Sequence, residues 1–396
     1  MLSGQNIVCF APNRWDDIWR NRHQIMTRLA RKNRILFVEP GRHLRQITPD
    51  VRRNGPRALS RANVFSPLEN LWVYQWPTYA PKTGRSPLDE ITFTLRKQSL
   101  RNTLRRLNMA DPILWVFQYN LGEMIGRLDE RLVIYHAVDE YSAYASGYED
   151  ADRRSQTIRD MEANVIATSD MVFVTSPALY ESKRHLHPSI TLVENGVDYE
   201  LFANPSPESS YPIDLLDIPH PLIGYVGVIN EKLNLELLTT VARKQPQWHF
   251  VLVGPVALKN EKDQLELLKS LPNVHLAGRK PVDLLPRYIH AFDVCLIPYK
   301  RNEWTRNISP LKLYEYLAAG VPIVSTGIPA TEEFADTVWL ACDPDAFSQA
   351  ISQALDADSP ERRRKQQALA KNHTWDRRVE MLSTTIEAHL ASDERL

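Results

Sequence analysis

Residues 307–326 read NISPLKLYEYLAAGVPIVST, and working outward from this stretch gives the fold. Ser309 is an N-cap candidate and Pro310 suits the first helical position, so a helix is expected over 310–319. An apolar strand over 322–326 follows it. The same pairing of helical segment and short apolar run repeats along the whole chain. Strands are expected at 7–12, 35–40, 71–75, 113–118, 132–138, 171–176, 190–193, 222–227, 249–255, 274–278, 294–299, 322–326 and 338–342. Helices are expected at 20–32, 88–107, 155–168, 233–244, 262–271 and 310–319. Most of the apolar runs are rich in Val, Ile and Leu without strict alternation, the pattern of strands buried on both faces of a parallel sheet. Strand and helix in alternation define an α/β chain with crossover connections.

The alternation breaks once, at 203–221 (ANPSPESSYPIDLLDIPHP), which holds Pro205, Pro207, Pro212, Pro219 and Pro221. A Pro-rich linker is expected there. It would separate a first Rossmann-like domain over 1–202 from a second over 222–374, with a C-terminal helix in 375–396 packing back on the first. Two doubly wound domains facing each other would form a ligand cleft between the carboxyl ends of both sheets. Helix N-termini opening there attract phosphate, so the layout favours a nucleotide or phosphosugar ligand.

With 396 residues, 43% apolar and 24% charged, the chain falls in the range of multi-domain globular proteins, and disorder or a disulfide-stapled miniprotein is excluded. The longest stretch without Asp, Glu, Lys or Arg, 316–331, carries two glycines and two prolines and is too short for a membrane span. The N-terminal apolar segment has no basic region before it, so no secretory signal is expected. Cys9, Cys295 and Cys342 lack zinc-type spacing, and their odd number fits a reducing, cytoplasmic location. Charge is uneven: residues 1–110 hold 20 Lys+Arg against 7 Asp+Glu, a net of +13, and the rest carries −13. One focus is Arg42, Arg45, Arg52, Arg53, Arg57 and Arg61; another is Arg96, Lys97, Arg101, Arg105 and Arg106. Such asymmetry points to an anionic partner or to an ordinary solvated surface.

In the 307–326 stretch Lys312 lies in the first helical turn, the wrong end of the dipole for a cation, which suggests an anionic neighbour. Glu315 lies one turn on, where a carboxylate could accept from two ribose hydroxyls. A solvated Lys312–Glu315 pair is the alternative. The stretch resembles the glycosyltransferase family 4 group of GT-B enzymes, whose second domain carries a helix with two glutamates eight positions apart, followed by A-x-G-x-P-V-V. Glu315 falls on the second glutamate and 317–324 on the run after it, while Asn307 stands where the first glutamate would be. The wording SPLKLYEYLAAG looks like a bacterial subgroup that includes teichuronic acid and capsule or exopolysaccharide transferases.

Three more segments carry the resemblance. In 225–232 (YVGVINEK) Lys232 matches the family's diphosphate-neutralising lysine, and Val228 replaces its arginine. Glu194-Asn195-Gly196-Val197-Asp198 with Phe202 is similar to P-N-G-V-D-x-x-x-F. Gly278-Arg279-Lys280-Pro281 with 285–294 resembles the segment whose backbone, near Arg279 here, holds the base. The resemblance implies a donor site of Gly227, Lys232, Arg279, Asn307, Ser309, Leu311, Lys312 and Glu315.

In the first half, 132–141 (LVIYHAVDEY) is a strand ending in His136 and Asp139. An imidazole there could donate to a sugar hydroxyl and a carboxylate could orient an acceptor; His136 matches a family histidine that contacts the donor sugar. The turn after the first strand, 10–17 (FAPNRWDD), lacks the family's glycines, so Asn13, Arg14 or Arg22 would take over phosphate contacts. Trp15 and Trp19 could stack on a sugar, face lipid or simply pack, and His23 is equally open. The D-x-D matches at 150–152, 343–345 and 356–358 are discounted as metal motifs. Asp343 precedes a helix, and capping explains it better. His185-x-His187 lacks a third ligand, and 362–365 is a solvated charge run.

The whole reads as an α/β GT-B glycosyltransferase moving a sugar from a nucleotide-diphosphate donor to an envelope-polysaccharide or lipid-linked acceptor. His136 and Asp139 are the catalytic candidates, and Asn13, Arg14, Trp15 and Arg22 face the acceptor. The resemblance implies retention of configuration. No metal and no cofactor beyond the nucleotide sugar are expected. The basic half suits peripheral contact with the anionic inner leaflet of the plasma membrane, and nothing points to nucleic acid. The alternatives are a nucleotide-sugar 2-epimerase of the same architecture and an inactive sugar-nucleotide or polysaccharide-binding subunit.

Overall fold

The computed structural model describes residues 1–55, 60–83, 87–145, 150–204 and 211–393. Contacts divide the chain into two units, Met1–Glu194 with Val379–Leu396, and Asn195–Arg378.

Unit one is built on eight strands: β1 Asn6–Phe10, β2 Arg34–Val38, β3 Asn63–Leu68, β4 Leu71–Gln75, β5 Ile113–Val116, β6 Leu132–Ala137, β7 Met171–Val174 and β8 Ile190–Leu192. Their order is β3-β4-β2-β1-β5-β6-β7-β8, and every pair is parallel except β3/β4. The apolar runs are explained by burial on both faces. Val8, Leu36, Leu114 and Val172 lie in one core, while Ile7, Cys9, Phe37, Trp115 and Phe173 are fully buried as well. Register follows suit, with Ile7 opposite both Ile35 and Ile113. β3 breaks the pattern: it is an antiparallel edge, carries Pro67, and is half-exposed along its length. A proline is tolerated there because an edge strand has one unpaired side, and Ser66 and Pro67 break its apolar residues into no continuous run.

Unit two holds β9 Leu222–Val226, β10 His249–Val253, β11 Val274–Gly278, β12 Val294–Ile297, β13 Ile323–Ser325 and β14 Val338–Leu340. They form one parallel sheet in the order β11-β10-β9-β12-β13-β14. Gly224 in β9 is obligatory, since a Cβ there would lie 1.9 Å from the Phe292 ring. In each sheet the first strand sits where the order reverses, β1 between β2 and β5, and β9 between β10 and β12. The carboxyl ends at such a switch point are where open α/β sheets bind ligands.

Several expectations need correction. The boundary falls after Glu194, not after 202. Unit two begins early because Val197 pairs with Thr374 and the Arg378 guanidinium donates to the Asn195 carbonyl at 3.2 Å. The same contacts carry unit two through Arg378, past 374. The segment expected to be a free linker is part of unit two. Leu215 is fully buried in its core, and Asp214 accepts from the Tyr288 hydroxyl and pairs with Lys280, each at 2.8 Å. Pro205 and Pro207 lie outside the described residues. The last helix, Trp375–Asp393, crosses the division, and its residues from Val379 onward group with unit one. The key helix runs Leu311–Ala319 with Pro310 at the N-cap position and no side-chain cap, so Ser309 does not cap it. Its end is conventional: Gly320 sits at φ +72°, in the left-handed region.

Of the basic clusters, Arg45, Arg52, Arg53, Arg61, Arg105 and Arg106 are exposed, and Arg57 lies outside the described residues. Arg96 is not a surface charge: it is buried, donates to the Pro81 carbonyl at 3.1 Å and pairs with Glu123 at 3.4 Å. Among the described residues, no helix is long and apolar enough to cross a membrane. Asp343 caps the Pro344–Asp356 helix by accepting from the amides of Asp345 and Ala346 at 3.1 and 3.0 Å, as expected.

Candidate functional site

In unit two the site grows from the end of β9. Gly227 follows the strand at φ +145°, and a Cβ there would lie 2.7 Å from the Lys312 Nζ. Gly254, after β10, has φ +151°, and its Cβ would fall 1.9 Å from the Gly227 carbonyl oxygen. Gly227 therefore leaves room for the ammonium, and Gly254 leaves room for the Gly227 carbonyl. Lys312 is 8% exposed. Its Nζ donates to the hydroxyls of Tyr225 at 2.9 Å and Tyr299 at 2.6 Å, and lies over both rings at 4.1 and 4.8 Å, within cation–π range. Among the described residues, no carboxylate is within ion-pairing distance of it. Burial, reinforced by the like charge of Lys232, pushes its pKa down to about 7, against a pull upward from Glu315. Glu315 is half-buried. Burial lifts its carboxyl to about 7, opposed by Lys312. The solvated-pair alternative therefore fails, because Lys312 is buried.

The remaining donor-side residues spread around this centre. Lys232 is half-buried with its Nζ 4.6 Å from the Trp304 ring centroid. Ser309 is buried, its carbonyl accepting from Asn195 at 2.6 Å while its Oγ has no hydrogen-bond partner. Leu311 is half-buried in the first helical turn, Asn307 donates to the Glu303 carbonyl at 2.7 Å, and Arg279 is exposed beyond Gly278. The structure thus brings Gly227, Lys232, Lys312 and Glu315 together, with Ser309 and Leu311 at the helix start. Nearby in sequence, Arg301, Asn302, Thr305, Arg306, Gly327 and Glu332 line a cavity of about 580 Å³, within the size range of small-molecule sites.

In unit one, His136 is buried near the end of β6. Its Nδ1 accepts from the Trp115 indole at 3.3 Å, which leaves Nε2 as the protonated nitrogen, buried and without a partner. Burial and then Arg22 push its pKa down to about 3, so the ring is neutral at physiological pH. Asp139 is half-buried and accepts from the Tyr144 hydroxyl at 2.6 Å. Arg22, in the first turn of the Asn21–Leu29 helix, is 4% exposed, and its Nε and Nη1 are buried without partners. Burial draws its pKa down to about 10. Asn13 is half-buried with an unpartnered Oδ1, and Arg14 is exposed. Trp15 is half-buried: its ring meets Trp19 at 5.8 Å, His23 at 5.4 Å and Phe37 at 5.1 Å, and its amide donates to Glu39 at 3.0 Å.

Sequence reading missed Tyr225 and Tyr299, which hold Lys312, and Gly254. It also missed a buried network behind Asp139, in which Lys183 bonds Glu140 at 3.1 Å and Glu162 at 2.8 Å and Tyr135 donates to Glu162 at 2.7 Å. Only the position of Tyr225 two residues before Gly227 could have signalled the first.

These features place the chain in the GT-B fold class, two parallel-sheet α/β domains of the kind found in glycosyltransferases. Residues 220–357 match the family described as Glycosyl transferases group 1. A Bacillus subtilis (strain 168) protein named as a teichuronic acid biosynthesis glycosyltransferase, TuaH, is 33% identical over 209 residues. That match covers 51% of this chain and 52% of the relative, so the chain spans about half the length of the curated relative it matches. Sucrose-phosphate synthase from Thermosynechococcus elongatus superposes with a TM-score of 0.71 at 17% identity, covering 98% of this chain and 100% of its own. Anabaena Alr3699/HepE in complex with UDP-glucose gives 0.67 at 13% identity, covering 97% and 99%.

Proposed function

We propose that the chain is a glycosyltransferase moving a sugar from a nucleoside-diphosphate donor to an envelope-polysaccharide or lipid-linked acceptor, without a metal and with retention of configuration. The carrying observation is the buried Lys312 ammonium, held by two phenols and no carboxylate, at the end of β9 in a domain that matches group 1 glycosyl transferases. A diphosphate would draw Lys312 to full protonation, and Lys232 would share the leaving charge. Positive charge preorganised at a developing anion is the main lever in such a transfer. Glu315 would accept from the ribose hydroxyls and backbone near Arg279 would hold the base, with Gly227, Asn307, Ser309 and Leu311 completing the donor site. In unit one, neutral His136 would donate through Nε2–H to a sugar hydroxyl, and Asp139 would orient the acceptor near Asn13, Arg14 and Arg22. A UDP-sugar is the first donor to try, because the HepE structure contains one. Contact with an anionic membrane is proposed through the exposed arginines of 42–61.

The test is an NMR assay of nucleotide sugars with and without saccharide and lipid-linked acceptors. Transfer that needs acceptor and keeps the anomeric configuration supports the reading. Donor turnover without acceptor would replace it with an epimerase.

A further inference from the structure

The Arg22 guanidinium of unit one is buried, with two of its nitrogens unpartnered. It lies at the carboxyl ends of β1, β5 and β6, where the strand order reverses. The guanidinium carbon is 5.7 Å from the ring centroid of Phe117, the residue following β5, and that ring stacks on His136 at 5.0 Å. The Tyr141 hydroxyl is occupied, donating to the Phe117 carbonyl at 2.7 Å. Arg22 is 4% exposed, no carboxylate pairs with it among the described residues, and Nε and Nη1 have no hydrogen-bond partner. It sits in a first helical turn that holds no acidic residue, where the dipole disfavours a cation. A buried charge is normally paired because desolvation is costly, and unused guanidinium N–H donors suit an oxyanion.

We infer that unit one contains an oxyanion subsite centred on Arg22, which takes a phosphate or carboxylate carried by the acceptor. The acceptor assignment rests on the proposed transferase reading; the subsite itself rests on the geometry alone.

The test compares the full chain with Arg22→Met and Arg22→Lys. Calorimetric titrations use inorganic phosphate, glucose 6-phosphate, glucuronate and a panel of nucleoside diphosphates. Removing an uncompensated buried charge should raise the melting temperature of the ligand-free protein by roughly 2–4 °C in Arg22→Met. The same change should weaken the oxyanion probe at least tenfold, with Arg22→Lys intermediate. Preference for glucose 6-phosphate or glucuronate identifies the acceptor's anionic group. Nucleoside diphosphate affinity should be unchanged. Failure of the wild type to bind any oxyanion probe, or equal probe affinity in Arg22→Met, overturns the subsite. Loss of nucleoside diphosphate binding in Arg22→Met overturns the acceptor assignment, since Arg22 would then serve the donor. A wild type that binds phosphate but no nucleotide keeps the subsite and removes the transferase reading.

Discussion

Lys312 holds its ammonium among two phenols, with Lys232 adding like charge and Glu315 opposing it. Methionine has similar length and would fill the same space without the charge. Burial takes the amine from 10.5 to about 7, and at about 1.4 kcal/mol per pH unit the charged form costs on the order of 5 kcal/mol below pH 7. Losing two hydrogen bonds at roughly 1 kcal/mol each offsets part of this. Lys312→Met should therefore stabilise the ligand-free protein by about 2–3 kcal/mol at pH 6. Between pH 7 and 10.5 the unfolded chain holds a proton that the folded one has released, so wild-type stability rises with pH in that window. The variant lacks this rise. Removing the ammonium also lifts the Glu315 carboxyl further, which penalises the variant as that group ionises. Both effects narrow the gap in the same direction. Urea unfolding of both proteins at pH 6, 7.5 and 9 measures it. A variant less stable than wild type at pH 6, or a gap that does not change with pH, would refute the reasoning.

Other outcomes follow from single contacts. Gly254→Ala drives a Cβ into the Gly227 carbonyl, a backbone clash that should cost about 3 kcal/mol or more in unfolding experiments. Lys183→Met leaves Glu140 and Glu162 buried without their cation and should cost about 3–5 kcal/mol, recovered in large part by adding Glu140→Gln and Glu162→Gln. His136 should show no titration between pH 5 and 8 by NMR, because its folded pKa is about 3; a midpoint near 6.5 would contradict its burial. Asp343→Ala should cost about 1 kcal/mol through the lost cap.

Among the described residues thirteen of the fourteen strands were legible, most of them because a strand buried on both faces is apolar throughout and such runs stand out between amphipathic helices. β3 was hidden because an antiparallel edge strand half-open to solvent has no such run. The linker was misplaced for a related reason. Prolines report an irregular backbone, but the burial of Leu215 and the contacts of Asp214 decide whether that backbone is free, and the Asp214 partners Tyr288 and Lys280 lie about 70 residues away. Lys312 and Glu315 could be picked out by their helix positions and the resemblance. That Lys312 is buried between Tyr225 and Tyr299 was not legible, because the three meet only when β9, β12 and the Leu311–Ala319 helix converge.

The most direct measurement of the central claim is calorimetric binding of UDP, GDP, ADP and CDP to wild type, Lys232→Ala and Glu315→Ala. Binding of one of these by wild type, weakened at least tenfold (about 1.4 kcal/mol) in each variant, is the predicted result. A folded wild type that binds none of them, or variants that bind as tightly as wild type, would contradict a donor site at the end of β9.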